Sequence, residues 1–216
     1  MPGNRHILVF DLDGTLVDSA ADIAGAANDT LAEYGAPPLG LDAIARMVGD
    51  GAPMLMERAL AASGLAVTLA EVMPRFVIHY DAHATRLVKP YPAVVETLSV
   101  LQDDGYRLGI CTNKPAAATR LVLAACDMES YFSVTIGGDS LPQRKPSPEP
   151  LFAAIAALEG TPDQAVMIGD SATDLACAEA AGIPALIIPS GYGQEVVPAT
   201  PGFHSFADLP GLLATL

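Results

Sequence analysis

Five short apolar runs recur along this chain at His6 to Phe10, Leu108 to Cys111, Val134 to Ile136, Val166 to Ile168 and Ala185 to Ile188. Runs this brief and this uniformly apolar read as strands buried on both faces. After the first, they alternate with amphipathic segments of helical length at Pro92 to Asp103, Ala116 to Cys126, Pro148 to Leu158 and Thr173 to Ala181. Strand followed by helix, repeated, predicts an α/β fold: an open parallel sheet covered by helices on both faces. Ser147 is placed to cap the third of these helices with Pro148 at its first position, and Gly160 and Gly182 follow the last turns of two of them.

One segment breaks the alternation. Residues 18–87 carry helical patterns at Ala20 to Tyr34, Leu41 to Met47, Pro53 to Ser63 and Leu69 to Ala84, punctuated by Pro37-Pro38 and Ser63-Gly64, with no convincing strand. This predicts an all-helical domain inserted after the first strand, with the sheet domain made of residues 1–17 and 88–216. Hinges are expected at Leu16 to Ser19 and Leu87 to Tyr91.

Half of the 216 residues are hydrophobic, 51%, which is ample for a buried core, and the formal net charge of -14 disfavours nucleic acid and anionic membranes as partners. An anionic substrate must then be held by local charge. Only three lysines are present, Lys89, Lys114 and Lys145, which narrows the choice. Cys111, Cys126 and Cys177 are odd in number and lack metal-site spacing, as expected of reduced thiols in a cytoplasmic protein, with Cys126 and Cys177 packing in the core. No stretch reads as a signal peptide or a membrane span.

In such a sheet, ligands sit beyond the carboxyl ends of the strands. The polar clusters of this chain fall there. The first strand ends in Asp11 and Asp13, the second in Thr112 and Asn113, the fourth in Asp170 with Asp174 one turn later, and Lys145 follows the third. Carboxylates converging on one small volume repel one another, and a bound Mg2+ is the usual remedy. Asp11 and Asp170 can ligate it directly, Asp13 through a nearby backbone carbonyl, and Asp174 through a bound water. Phosphoryl transfer needs a nucleophile, a proton donor and fixed positive charge. Asp11, Asp13 and Lys145 can fill those roles, with Thr112 and Asn113 on the phosphate. Taken singly, Asp-Leu-Asp-Gly is often only a turn, Gly-Asp before a helix an N-cap, and Lys-Pro a surface dipeptide. All four in order at successive strand ends make a stronger case.

The ordered set Asp11-Leu12-Asp13-Gly14-Thr15, Thr112-Asn113, Lys145-Pro146 and Gly169-Asp170-Ser171 with Asp174 resembles the haloacid dehalogenase superfamily over nearly the whole chain. The resemblance implies a Rossmann-like core with a helical cap, a phosphoaspartate intermediate on Asp11 and acid/base work by Asp13. It is closest to the phosphoglycolate phosphatases, through Pro90-Tyr91-Pro92, Thr112-Asn113-Lys114-Pro115, Gly137-Gly138-Asp139 leading to Lys145-Pro146, and Val48-Gly49-Asp50-Gly51-Ala52. The implied substrate is a small phosphorylated metabolite, 2-phosphoglycolate, acted on by a monomer or homodimer. Where that family usually has glycine after Tyr-Pro, this chain has Ala93, and the segment after Tyr192 is short and proline-rich.

In the cap, Gly49 and Gly51 flank a turn whose free amides could meet a carboxylate, and Arg46 is the nearest cationic candidate. A phosphatase of another small sugar phosphate is the alternative. A dehalogenase would need neither Asp13 nor Asp170. A sugar phosphomutase would place histidine where Ile23 stands, and both it and a phosphonoacetaldehyde hydrolase would use a cap lysine that residues 18–86 lack. A non-enzymatic magnesium-binding protein remains as the other class.

Overall fold

The computed structural model describes residues 5–188, 191–192 and 199–216. The proline-rich stretch expected after Tyr192 falls mostly on residues 193–198, outside the described residues. The chain opens with β1 (Ile7–Phe10) and the two-residue β2 (Val17–Asp18). Four helices follow: α1 (Ala20–Glu33), α2 (Leu41–Ala45), α3 (Ala52–Ser63) and α4 (Leu69–His83). After β3 (Lys89–Pro90) come α5 (Val94–Asp103), β4 (Arg107–Cys111), α6 (Ala116–Ala125), β5 (Val134–Ile136) and α7 (Glu149–Ala157). β6 (Ala165–Gly169), α8 (Ala172–Ala181), β7 (Ala185–Ile187) and the short α9 (Leu209–Leu213) complete the described elements.

The main sheet is parallel in the order β5-β4-β1-β6-β7. Its strands are buried on both faces because alternate side chains enter two separate layers. Leu8, Phe10, Ile110 and Ile168 join the layer under α5 and the C-terminal residues, where Phe10 stacks against Phe206 at 6.4 Å and meets Phe132 edge-on at 6.0 Å. Ile7, Val9, Cys111 and Met167 face the opposite layer with Leu151 and Ile155 of α7 and Cys177 of α8. Truncating a fully buried phenylalanine such as Phe10 would cost about 3–5 kcal/mol.

The four helices between β2 and β3 bury a third apolar cluster of their own, centred on Leu31, Ile44, Met56, Val72 and Phe76. The expected hinges are where β2 and β3 lie, paired antiparallel as Val17 with Pro90 and Asp18 with Lys89. Sequence reading missed this ribbon because two residues carry no periodicity. The buried carboxylate of Asp22 in α1 accepts from Leu87 N at 3.0 Å and Val88 N at 2.9 Å, which fixes the return crossing to the first helix.

Two local expectations differ from the structure, and a third residue takes an unusual backbone conformation. α7 begins at Glu149 with Pro148 in the cap position, and the Ser147 hydroxyl binds the Glu149 carboxylate instead of capping the helix. Glu159, not Gly160, takes the left-handed residue after α7, with φ 56°. Ala93, the residue before α5, sits at φ 65° and ψ 4°, the conformation that glycine adopts without penalty. Ala93→Gly should therefore raise stability by about 0.5–1 kcal/mol and the melting temperature by a few degrees, roughly the scale for a chain of this size. A lower melting temperature in the glycine variant would show that relief of strain at this turn does not outweigh the added freedom of the unfolded chain.

Candidate active site

The parallel register sets Phe10 beside both Ile110 and Ile168, so the chain leaving β1 emerges between the ends of β4 and β6. This is the switch point of the sheet, where one connection runs to β4 and a later one returns to β6. Asp11 and Asp170 therefore become neighbours, and α8 begins immediately after Asp170. Asp174 is fixed by a reciprocal capping box, in which its Oδ2 accepts from Ser171 Oγ at 2.7 Å and from Ser171 N at 3.1 Å. Gly14, at φ +87°, completes the turn after Asp13, and a side chain there would lie 2.5 Å from Asp170 Oδ2.

Lys145 is buried at the centre of this group. Its Nζ lies 3.0 Å from Asp11 Oδ1 and 2.6 Å from Asp174 Oδ1. Burial works against the ammonium, but Asp11 and Asp174 outweigh it and hold its pKa above the usual lysine range. Burial pushes the Asp11 carboxyl up to about 6, against the pull of Lys145 and with the repulsion of Asp174. Burial, then Asp174 and Asp11, push Asp170 up to about 8. Thr15 Oγ1 donates to Asp170 Oδ1 at 2.9 Å, and the Tyr192 amide donates to Oδ2 at 2.8 Å.

One oxygen or more from each of Asp11, Asp170 and Asp174 lies within 4.8 Å of the others. Three buried carboxylates against one ammonium leave an excess of negative charge, and Asp11 Oδ1 receives no hydrogen bond of good geometry. The donor set is all oxygen, which fits a hard divalent cation. The Asp13 carboxylate is not in this cluster. It is bound by Lys114 Nζ, 2.8 Å from each oxygen, and Ser19 Oγ donates to Oδ1 at 2.5 Å. Of Asp13, only the main-chain carbonyl is left for a cation. With its hydroxyl on Asp13, Ser19 does not cap α1, and the Tyr192 phenol oxygen accepts from Ser19 N at 2.7 Å and Ala20 N at 2.8 Å in its place.

A cavity of about 450 Å³ opens over Asp11, Asp13, Thr112 and Asn113, between the sheet and the four-helix segment. Thr112 and Asn113 are buried at the end of β4. Asn113 Nδ2 donates to Gly49 O at 3.1 Å and to Lys145 O at 3.0 Å, so its side-chain amide joins the helical segment to the sheet rather than standing free for a phosphate. Gly49 and Gly51 line the cavity. Arg46 does not; it is exposed at the end of α2, and the arginine on the lining is Arg144. Lys114 also lines the cavity and is buried, a placement the sequence reading did not assign. The scarcity of lysines was the signal that could have found it. Burial pushes the Cys111 and Cys177 thiols up to about 12 and about 11, so neither is a thiolate at neutral pH.

Residues 8–188 match the family described as haloacid dehalogenase-like hydrolase. The chain belongs to that family. It is 43% identical over 222 aligned residues, covering all of this chain and 99% of the relative, to a phosphoglycolate phosphatase of Cereibacter sphaeroides. It is 40% identical to a phosphoglycolate phosphatase of Caulobacter vibrioides, over 99% of this chain and 92% of the relative. A crystal structure from Haemophilus somnus 129pt, titled a predicted phosphoglycolate phosphatase, superposes with a TM-score of 0.90 at 30% identity, over 97% of this chain and 98% of that one. The chain is thus a phosphoric monoester hydrolase of a family that generally uses a divalent metal, and it carries the acidic cluster for one. No helix among the described residues is long and apolar enough to cross a membrane.

The cluster has a measurable consequence. A carboxyl raised from 3.8 to about 8 in Asp170, or to about 6 in Asp11, holds its proton more tightly folded than unfolded. Each such group stabilises the fold fully below its unfolded pKa, and that contribution is lost as pH rises through the folded value. Metal-free protein should therefore melt at falling temperatures between about pH 5 and pH 9, and millimolar magnesium should flatten the slope by favouring the ionised carboxylates. Parallel melting curves with chelator and with magnesium would rule out this cluster as the cation site.

Proposed function

We propose that the enzyme is a magnesium-dependent phosphatase that cleaves 2-phosphoglycolate to glycolate and phosphate through an aspartyl phosphate on Asp11. The observation that carries the reading is the buried Asp11 carboxylate, ion-paired to Lys145 at 3.0 Å on the floor of a cavity that Asp13 also lines. In this reading residues 1–17 and 88–216 form the catalytic core and residues 18–87 the cap, and the enzyme acts in the cytoplasm as a monomer or homodimer.

Asp11 attacks phosphorus in line with the leaving oxygen, and the bond from phosphorus to that oxygen breaks as Asp13 gives it a proton. Asp13 then takes a proton from water, whose oxygen attacks the phosphorus and releases Asp11. Lys145 supplies fixed positive charge beside the nucleophile. Thr112 holds the phosphate with Lys145, and Asn113 contributes from its main chain because its side chain is engaged elsewhere. Asp11, Asp170 and the main chain at Asp13, with Asp174 behind them, would hold magnesium, which would supply charge neutralisation at the phosphate.

Relatives named phosphoglycolate phosphatase, at 40% to 43% identity over the whole chain, support the choice of substrate. Ile23 is a buried apolar residue on the cavity lining, which supports hydrolysis over mutase chemistry at that position. Asp11→Asn should abolish turnover with an unchanged circular dichroism spectrum, since a neutral amide of the same volume cannot attack phosphorus. Lys145→Ala should lower kcat roughly a hundredfold or more. A screen of small phosphomonoesters ranked by kcat/KM should place 2-phosphoglycolate first, and a clear preference for a sugar phosphate would overturn the substrate while leaving the phosphatase reading intact.

A further inference from the structure

Two ammonium groups are buried at this site, and the chemistry above uses only Lys145. Lys114 has 4% of its side chain exposed, yet it lies on the cavity lining rather than in any of the three apolar clusters. Its Nζ is 2.8 Å from both oxygens of Asp13 and 5.1 Å from the centroid of the Tyr80 ring in α4, which also lines the cavity. Desolvating an ammonium is costly, and an ion pair that served packing alone could be replaced by apolar side chains at no loss. The pair also occupies Asp13: Oδ1 is bound by Lys114 and Ser19, and Oδ2 by Lys114. In this arrangement Oδ1 is taken up by two donors, and a leaving group can reach Oδ2 only beside Lys114.

The covalent structure of the proposed substrate matches the spacing. In 2-phosphoglycolate the carboxylate is on the carbon that carries the phosphoester oxygen. The group that protonates that oxygen and the group that binds the carboxylate must therefore be neighbours, and Asp13 and Lys114 are in direct contact.

Resting on the substrate reading above, we propose that Lys114 is the receptor for the leaving group's carboxylate, and that the arriving carboxylate draws Lys114 off Asp13 and frees it for the leaving oxygen. The exchange replaces one carboxylate by another on the same ammonium, whose three donors let it pass between them without losing its own charge partner, and Asp13, once out of the ion pair, takes from solvent the proton it gives to the leaving oxygen. The Tyr80 ring keeps its face to the cation throughout. A neutral leaving group leaves the resting pair intact, so discrimination falls on kcat as well as on KM.

The test compares 2-phosphoglycolate, 2-phospholactate and the neutral analogue 2-hydroxyethyl phosphate on the full-length magnesium enzyme and on Lys114→Met and Lys114→Arg. Lys114→Met should cut the ratio of kcat/KM for 2-phosphoglycolate over 2-hydroxyethyl phosphate by roughly thirtyfold or more, with Lys114→Arg retaining part of it. An unchanged ratio in a folded Lys114→Met overturns the inference. A wild type that prefers 2-phospholactate, with that preference lost in Lys114→Met, removes the substrate reading and supports Lys114. A wild type with no preference for carboxylates removes both. A further measurement on the wild type does not depend on how the variants fold: formate and methyl phosphate together present the two halves of the substrate as separate molecules. Formate should raise methyl phosphate turnover several-fold, and no response at concentrations that keep the enzyme folded overturns the inference.

Discussion

The Lys145 ammonium, held between Asp11 and Asp174 with almost no exposure, is the contact on which the rest of the site depends. An uncompensated charge at that depth would be strongly destabilising, so its two partners must be delivered together from distant parts of the chain. The sheet does this through register alone. β1 lies between β4 and β6, so the residues after Phe10 and after Gly169 leave adjacent strand ends, and α8 starts at once to bring Asp174 under them. The crowding reaches the backbone: any side chain on Gly169 would lie 2.5 Å from Asp174 Cβ, which leaves room only for hydrogen at that strand end. The remaining negative charge, shared among Asp11, Asp170 and Asp174, is what a divalent cation compensates.

Much of this was legible in the sequence because burial on both faces leaves an unmistakable pattern. Val134 to Ile136 was read to the residue, and the other main-sheet strands to within one residue at either end, since an unbroken apolar run has no other place in a domain of this size. The helix after β5 was equally clear in outline and wrong in its cap. Serine before proline reads as an N-cap, but here the Ser147 hydroxyl finds the Glu149 carboxylate two residues on, and no pattern in the chain distinguishes the two outcomes. Ala93 shows the converse. Its departure from glycine was visible, while the left-handed backbone that makes the departure costly was not.

The parts that stayed hidden are those set by tertiary contact. Lys114 stands beside a proline in a loop, where a lysine is ordinarily solvated, and only Asp13 and the distant Tyr80 explain its burial. Tyr192 accepts from the first amides of α1 from far along the chain, while Ser19, in the cap position, has its hydroxyl on Asp13. Arg46 was the natural cation to choose by proximity in sequence to Gly49, but α2 ends before it and leaves it exposed, while Arg144 reaches the cavity from the loop before Lys145. In each case sequence distance and spatial distance part company.

The helical segment does not share an apolar core with the sheet where the two meet over the cavity. Its apolar cluster is internal to α1 through α4, and none of those residues belongs to the two clusters that flank the sheet. Over the cavity the contacts are polar: Asn113 Nδ2 to Gly49 O at 3.1 Å, and Thr173 Oγ1 to Asp50 Oδ1 at 2.7 Å, with Arg58 paired to the same Asp50. Hydrogen bonds of this kind each contribute only about 1–3 kcal/mol net, because water replaces them when they part. Separating two apolar surfaces would be far more costly. The seam that holds the cavity is therefore the weakest joint between two well-packed halves, and the turn Val48 to Ala52 that makes these contacts is also the part of the helical segment set against Asn113 and the start of α8. A substrate in the cavity would meet the same residues that hold this seam, since Val48, Gly49, Gly51, Ala52 and Asn113 all line it.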